Sequence, residues 1–301
     1  MIFKVCSFSV LVLVLLLGEQ VFGFPKVVVS IKPLHSLVSG VMSGIGMPPL
    51  LISGSASPHT YSMRPRQFRV LQLADLVFWI GPELETFLVK PLKSIRENTP
   101  ILAMMNIGGA HLLEFESVAS GIQSEDDLVH HRDPHLWLDP RNARAMVEGI
   151  RDALIRIDGR NGNIYQQNTE KMIKRLKMLD EEIQSQLSLS REKPYVVFHP
   201  AFSYFEERYG LERVGLVMIS PDRPPGARHL TILKNRIRSR KVICLFSEPQ
   251  FEPRLVKVLV EGTRVRSAVL DPLGSSLQEG PELYFNLLRQ LSRGFRECLL
   301  R

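Results

Sequence analysis

The chain has 301 residues, of which 45% are hydrophobic and 23% are charged, and its formal net charge is +7. This length is enough for one large or two medium domains. The basic residues form no long run with interleaved aromatic residues. That pattern favours solvated helix faces and argues against a nucleic-acid-binding protein.

The first 23 residues predict a cleavable export signal. Lys4 gives a short positive region, residues 10–17 form an unbroken apolar run, and Val21 and Gly23 are the small residues of a cleavage site. The apolar run is too short for a stable membrane-spanning helix. We therefore expect export and cleavage before Phe24, with an uncleaved anchor as the alternative.

Two cysteines, Cys244 and Cys298, remain after cleavage, because Cys6 leaves with the signal peptide. Cys6 also precedes the apolar run, so it is not placed as a lipid anchor. Export brings the other two into an oxidising compartment, where a disulfide is the default. Two separate buried thiols are the alternative.

Residues 24–139 predict an α/β unit. Strands are predicted at 26–31, 50–52, 77–81 and 101–105, and helices at 34–42, from Pro65 onward and at 83–95. This alternation predicts a parallel sheet with helices on both faces. Ligands bind beyond the carboxyl ends of such strands, and His59 lies a few residues past the strand at 50–52.

Residues 106–132 break this alternation. They include an acidic, histidine-bearing loop that is either a weak metal-collecting loop or an ordinary solvated loop, and we favour the second interpretation. The residues concerned are Glu125, Asp126, Asp127, His130 and His131.

The segment 133–140 (DPHLWLDP) places His135 between two prolines. Because a residue before proline is restricted to extended conformations, we predict that His135 lies in a stiff extended segment. A side chain fixed in this way suits a metal ligand. It equally suits an ordinary half-buried histidine.

After residue 140 a long helical pattern continues to about residue 189, with a predicted interruption at 158–162. It predicts a rigid connecting strut over residues 140–192. The strand–helix alternation then restarts, with strands predicted at 195–199, 214–219, 242–246 and 267–270 and a closing helix at 283–300.

Polar residues stand at strand ends in this last region, namely His199, Glu248 and Asp271. The predicted fold is α/β, with two similar lobes at 24–139 and 193–301. Each lobe is a mostly parallel sheet flanked by helices, and a long rigid helix joins the two. A cleft between the lobes would bring His59, His135 and His199 together.

Three imidazoles with a water or a carboxylate give a tetrahedral zinc site. Imidazole also suits copper, iron and nickel, whereas manganese prefers carboxylate oxygen. Three histidines plus water are also a catalytic pattern, so an exported zinc hydrolase with Glu248 as its general base stays open. No close-spaced zinc motif is present.

Four segments resemble the solute-binding proteins of bacterial metal ABC importers, in particular the periplasmic zinc-binding components of the ZnuA type. They are 58–65 (PHTYSMRP), 134–140 (PHLWLDP), 198–205 (FHPAFSYF) and 248–251 (EPQF). The similarity runs through nearly the whole mature chain in the family's order.

The resemblance implies a periplasmic protein that holds zinc between two lobes and delivers it to a membrane permease. It implies His59, His135 and His199 as ligands, and Asp271 matches a metal-binding Asp of the manganese members. It also implies a disulfide between Cys244 and Cys298. The expected partners are the zinc ion and the permease, with no nucleic acid, and the expected state is a monomer.

The chain departs from the family at two places. Pro58 stands where some zinc members have a glutamate, so the fourth ligand is open among water, Asp271 and Glu248. The acidic loop around His130 and His131 is also shorter than in many zinc members. A manganese-binding member of the same family, the hydrolase and a surface adhesin are the alternative functions.

Overall fold

The structure is a computed structural model that describes residues 24–114, 132–218, 224–252 and 254–301. The predicted signal peptide at 1–23 and the acidic loop around His130 and His131 lie outside these residues. Within the described ranges, no helix has both the length and the apolar character that a membrane crossing requires.

The N-terminal sheet has three parallel strands in the order β1-β2-β3: β1 Val27–Val29, β2 Leu76–Trp79 and β3 Ile101–Ala103. The predicted strand at 50–52 follows the free edge of β1. Leu50 forms a single parallel bridge with Val29, and Leu51 N donates to Val29 O (2.9 Å). Pro48 and Pro49 have no N–H to donate, which accounts for the shortness of this pairing.

The helices of this half are α1 Lys32–Val41, α2 Pro65–Gln72 and α3 Val89–Leu92. The predicted helix at 83–95 is wrong in length, since it consists of the 3-10 turn Thr86–Leu88 and the short α3. The Glu85 carboxylate accepts from the backbone N–H groups of Ile80 and Gly81, which fixes the chain just before this turn. Pro91 then lacks the N–H that a longer helix would use.

The connecting region contains two helices, α4 Pro140–Ile157 and α5 Gly162–Gln186, with a 3-10 turn at Gly159–Asn161. The predicted interruption at 158–162 is therefore confirmed. Helix α5 has 25 residues and packs against α4, against α1 of the first half and against the closing helix α9 Leu283–Leu300. At Gly40 of α1 an added Cβ would lie 2.3 Å from Met172 Sδ, so α1 and α5 pack at close range.

The C-terminal sheet has four parallel strands in the order β5-β4-β6-β7. Alternate side chains point to opposite faces. Val196 and Leu245 pack with one set of helices, and Val197 and Phe246 pack with the other. The strands are β4 Tyr195–Val197, β5 Arg213–Leu216, β6 Cys244–Ser247 and β7 Arg266–Val269, and the further helices are α6 Ser203–Tyr209, α7 Ala227–Ser239 and α8 Arg254–Val260.

Two parallel sheets, each flanked by helices, confirm the predicted fold class. A disulfide joins Cys244 of β6 to Cys298 of α9, with 6.0 Å between the Cα atoms. This is the disulfide that the family resemblance implies, and it holds α9 against the sheet. Helix α9 also reaches the first half, where Tyr284 N donates to Ser36 Oγ (2.9 Å). The domain boundaries at 139/140 and 192/193 stay predictions.

Candidate metal centre

Three histidines from separate parts of the chain converge between the two sheets. His59 lies in the loop after residues 50–52, His135 precedes the 3-10 turn Leu136–Leu138, and His199 lies two residues after β4. His59 Nε2 and His135 Nε2 are 3.3 Å apart, and one ring nitrogen of each histidine lies within 4.8 Å of the others. In the described part of the chain, this is the group of side chains that could hold a metal ion.

The backbone of His135 is not extended, so that prediction is wrong. Its φ and ψ are −82° and 31°, and the following residues form the 3-10 turn. The prolines restrict the residues before them, and the one before Pro140, Asp139, is indeed extended, with φ −103° and ψ 119°. No proline follows His135 directly, which leaves it free to begin a turn.

Asp133 holds the ring of His135 in place. Asp133 Oδ1 accepts from the backbone N of His135 (2.9 Å) and from its Nδ1 (2.7 Å). The C-terminal half then fixes this segment, since Tyr204 Oη donates to Asp133 O (2.7 Å) and Trp137 Nε1 donates to Pro272 O (2.9 Å). His135 is therefore rigid because of hydrogen bonds from both halves.

Glu248 performs the same task for His199. His199 Nδ1 donates to Glu248 Oε1 (2.5 Å), and both side chains are buried. A carboxylate only accepts, so the ring proton is on Nδ1 and the lone pair is on Nε2. His199 Nε2 is buried without a hydrogen-bond partner. A carboxylate behind the imidazole is the usual arrangement for a metal-binding histidine.

His59 is the least constrained of the three histidines. It is half-buried, and the one hydrogen bond that its ring makes to the described residues is with the His135 ring. Burial is the main cause that holds the pKa of His59 well below its ordinary value, and the neighbouring His135 and His199 act in the same direction. The imidazole is therefore neutral, which is the form that binds a metal.

Asp271 does not join the three-histidine group in this structure. Its carboxylate accepts from Leu273 N (3.0 Å), Ser275 N (2.6 Å) and Ser275 Oγ (2.6 Å), and from Gln250 Nε2 (3.2 Å). Direct metal binding by Asp271 stays a prediction. Sequence reasoning missed Asp133 and Gln250, although Asp133 stands two residues before a predicted ligand.

The histidines line a small cavity between the two halves, about 10 Å³ in volume, which is about the room that one water molecule needs. Its walls are largely apolar, and the rings of Trp137 and Phe251 lie 5.3 Å from those of His135 and His199. Such walls limit the access of water and strengthen polar interactions at the centre. The further lining residues are Ser57, Pro58, Glu248, Gln250, Pro272 and Leu273.

One pair of the three ring nitrogens already has the spacing of a tetrahedral zinc site. Zn–N bonds of about 2.0–2.1 Å in tetrahedral geometry require ligand nitrogens roughly 3.3 Å apart. The Nε2 atoms of His59 and His135 are already at 3.3 Å. In addition, the buried and unpartnered Nε2 of His199 is an atom that a metal ion would satisfy. The arrangement therefore suits the capture of one zinc-like cation.

Comparison with known proteins points to the same chemistry. Residues 27–298 match the family model described as "ZnuA: Zinc-uptake complex component A periplasmic". The high-affinity zinc uptake system protein ZnuA of Brucella abortus is 37% identical over 304 residues, covering 91% of each chain. The protein of the same name from Yersinia pestis is 33% identical over 289 residues, again covering 91% of each chain.

Solved structures share the fold. The crystal structure of ZnuA matches with a TM-score of 0.78 at 22% identity, covering 92% of this chain and 99% of that chain. The Streptococcus pneumoniae AdcAII protein matches with a TM-score of 0.76 at 25% identity, covering 92% of this chain and all of that chain.

Proposed function

The chain belongs to the ZnuA family of periplasmic zinc-uptake components, and from this premise we propose that it captures Zn²⁺ in the periplasm and delivers it to the permease of an ABC importer. Zinc is the cargo of such a protein and not a resident cofactor. The observation that carries the proposal is the convergence of three histidines in one cavity between the two sheets.

We assign His59, His135 and His199 as the zinc ligands, each through one ring nitrogen. Asp133 and Glu248 support this assignment, because each orients one imidazole through its Nδ1. An all-nitrogen protein shell suits zinc better than manganese, which prefers carboxylate oxygen. The manganese-binding alternative is therefore not favoured.

The hydrolase alternative is not favoured either. It needs a general base close to a metal-bound water, and Glu248 was the candidate for that base. Glu248 Oε1 instead accepts from His199 Nδ1, on the side of the ring away from Nε2. The family is a solute-binding component of a transport system, and no contact described above favours the adhesin alternative.

Export through cleavage of residues 1–23 and a monomeric state are parts of the same proposal. A carrier that meets its permease from the periplasm must cross the inner membrane first, which the predicted signal peptide accounts for. Amino-terminal sequencing of the exported protein should give Phe24 as the first residue. A mature chain that still begins at Met1 would contradict this part.

Metal analysis of protein purified from the periplasm tests the function. We expect one zinc per chain, retained against a competing chelator, and no turnover of ester or peptide substrates. Manganese in place of zinc under zinc-replete conditions would overturn the assignment of the cargo. Catalytic turnover would support the hydrolase instead.

A further inference from the structure

The three histidines leave one coordination position of a tetrahedral zinc ion to be filled. Both nearby carboxylates already accept hydrogen bonds from other groups. Glu248 Oε1 accepts from the far side of the His199 ring, and Asp271 already accepts four hydrogen bonds through its two oxygens. A carboxylate has about four acceptor sites, so those of Asp271 are occupied within its own half.

Gln250 also lines the cavity, and its side chain has a fixed orientation. Because the Asp271 carboxylate only accepts, the Gln250 atom at 3.2 Å from Asp271 Oδ1 must be the amide nitrogen. The other amide atom, Oε1, is buried without a hydrogen-bond partner. A buried unpaired carbonyl oxygen is costly, so a partner bound in the cavity is the simplest account of it.

We propose that Gln250 is a positioning residue for the fourth zinc ligand, a water whose proton is accepted by Gln250 Oε1. The inference rests on the proposed zinc-carrier function. Metal-bound water is acidic and a strong hydrogen-bond donor. The amide accepts that bond without adding a negative charge to the site.

This arrangement gives Asp271 a role as well. Asp271 accepts a hydrogen bond from the Gln250 amide nitrogen and so orients the amide. Asp133 and Glu248 orient the imidazoles of His135 and His199 in the same way. Three of the four coordination positions, those of His135, His199 and the water, are then oriented by a further protein group. The exception is His59. Hydrogen-bonded groups behind a ligand usually contribute 10–100-fold to metal affinity, as an order of magnitude.

Gln250→Met tests the proposal, since methionine keeps the length of the side chain and removes the acceptor. Zinc affinity, measured by chelator competition, should fall by about 10–100-fold. Gln184 provides the matched control, because its Oε1 is also buried without a partner but lies on α5, outside the cavity. Gln184→Met should bind zinc as the wild-type protein does.

A second readout separates positioning from loss of structure. In cobalt-substituted protein, ionisation of the bound water changes the visible spectrum. A carbonyl acceptor stabilises water over hydroxide, because water is the better donor. The midpoint of the spectral titration should therefore move to lower pH in Gln250→Met and stay unchanged in Gln184→Met.

Asp271→Ala alone and combined with Gln250→Met completes the test. If Asp271 acts through Gln250, the two losses of affinity will not add. Wild-type zinc affinity in a folded Gln250→Met protein would overturn the proposal, and so would fully additive losses, which would make Asp271 a direct ligand. Failure of the wild-type protein itself to bind zinc would instead refute the proposed function.

Discussion

The two halves of the molecule share one strand order but use their strand ends differently. If the strands of each half are numbered along the chain, both sheets have the spatial order second, first, third, fourth. In the first half, the edge segment at Leu50 counts as the second strand. In the C-terminal half, His199 follows the first strand and Glu248 follows the third. In the N-terminal half, Ser30 directly follows the first strand, and Glu85 lies six residues past the end of the third.

Both halves pair these two residues. Ser30 Oγ donates to Glu85 Oε1, as His199 Nδ1 donates to Glu248 Oε1. The serine hydroxyl uses its single proton in this bond and has no second polar atom, whereas the imidazole keeps a second nitrogen that faces the cavity. A side chain just past the first strand thus completes a polar cluster in the first half and supplies a proposed metal ligand in the second. Topology fixes where a site can form, and residue type decides whether it does.

The largest expected difference between the halves is seen when the residue after the first strand is removed. His199→Ala should reduce zinc affinity by more than the roughly 10–100-fold that is typical for loss of an outer-shell partner, because a direct ligand is lost. His59→Ala and His135→Ala should do the same. Ser30→Ala should leave zinc affinity unchanged. Chelator competition at pH 7 measures this, and near wild-type affinity in His199→Ala would refute the site.

The paired glutamates give the next comparison. Glu248→Gln should lower zinc affinity by about 10–100-fold, because the carboxylate no longer orients the His199 ring. Glu85→Gln should bind zinc like the wild type, since the hydrogen bonds of the Glu85 carboxylate within the described residues come from Ser30 and from the backbone N–H groups of Ile80 and Gly81. Equal losses in both variants would mean that the two clusters are not functionally distinct.

Glu85 should instead control the pH dependence of stability. Burial raises its pKa from 4.5 to about 7, against the opposing hydrogen bonds from Ser30 and the backbone. Between these values the folded protein holds a proton that the unfolded chain releases. Below pH 4.5 the protonated Glu85 therefore makes its full contribution to the unfolding free energy, and this contribution is lost as the pH rises to 7. The slope is at most about 1.4 kcal/mol per pH unit.

Urea unfolding of the metal-free protein between pH 4.5 and 8 measures this effect. Glu85→Gln should flatten the pH dependence. The exposed Glu97 serves as a control, and Glu97→Gln should keep the wild-type slope. The assignment to Glu85 would be contradicted by wild-type stability that rises with pH over this range. It would also be contradicted if Glu85→Gln kept the wild-type slope.

The disulfide is a further difference, because residues 24–139 contain no cysteine. Reduction of the bridge between Cys244 and Cys298 should remove up to about 4 kcal/mol of stability for a loop of 54 residues. The melting temperature should fall while the zinc stoichiometry stays at one. Loss of zinc on gentle reduction would mean that a cysteine is a ligand.

Much of this could be predicted from the sequence. Short β-branched runs alternating with helical stripes predicted both sheets, since local hydrophobic pattern determines strands buried on both faces. The three histidines were identified because each stands in a short motif next to a proline. Their convergence came from the family resemblance and from the rule on strand ends.

The remaining errors concern interactions between residues distant in sequence. The helix predicted at 83–95 is shortened where Glu85 bonds back to Ile80 and Gly81. The turn at His135 depends on Asp133 and on Tyr204, which lies 71 residues from Asp133. Gln250 lies 21 residues from Asp271, and only the folded chain shows that they are bonded.

Zinc K-edge absorption spectroscopy of the protein loaded with one equivalent of zinc tests the central claim most directly. We predict three imidazole nitrogens and one oxygen at about 2.0–2.1 Å from the metal, with one imidazole lost in His199→Ala. A first shell with two or more carboxylate oxygens, or with sulfur, would contradict a site built from His59, His135 and His199.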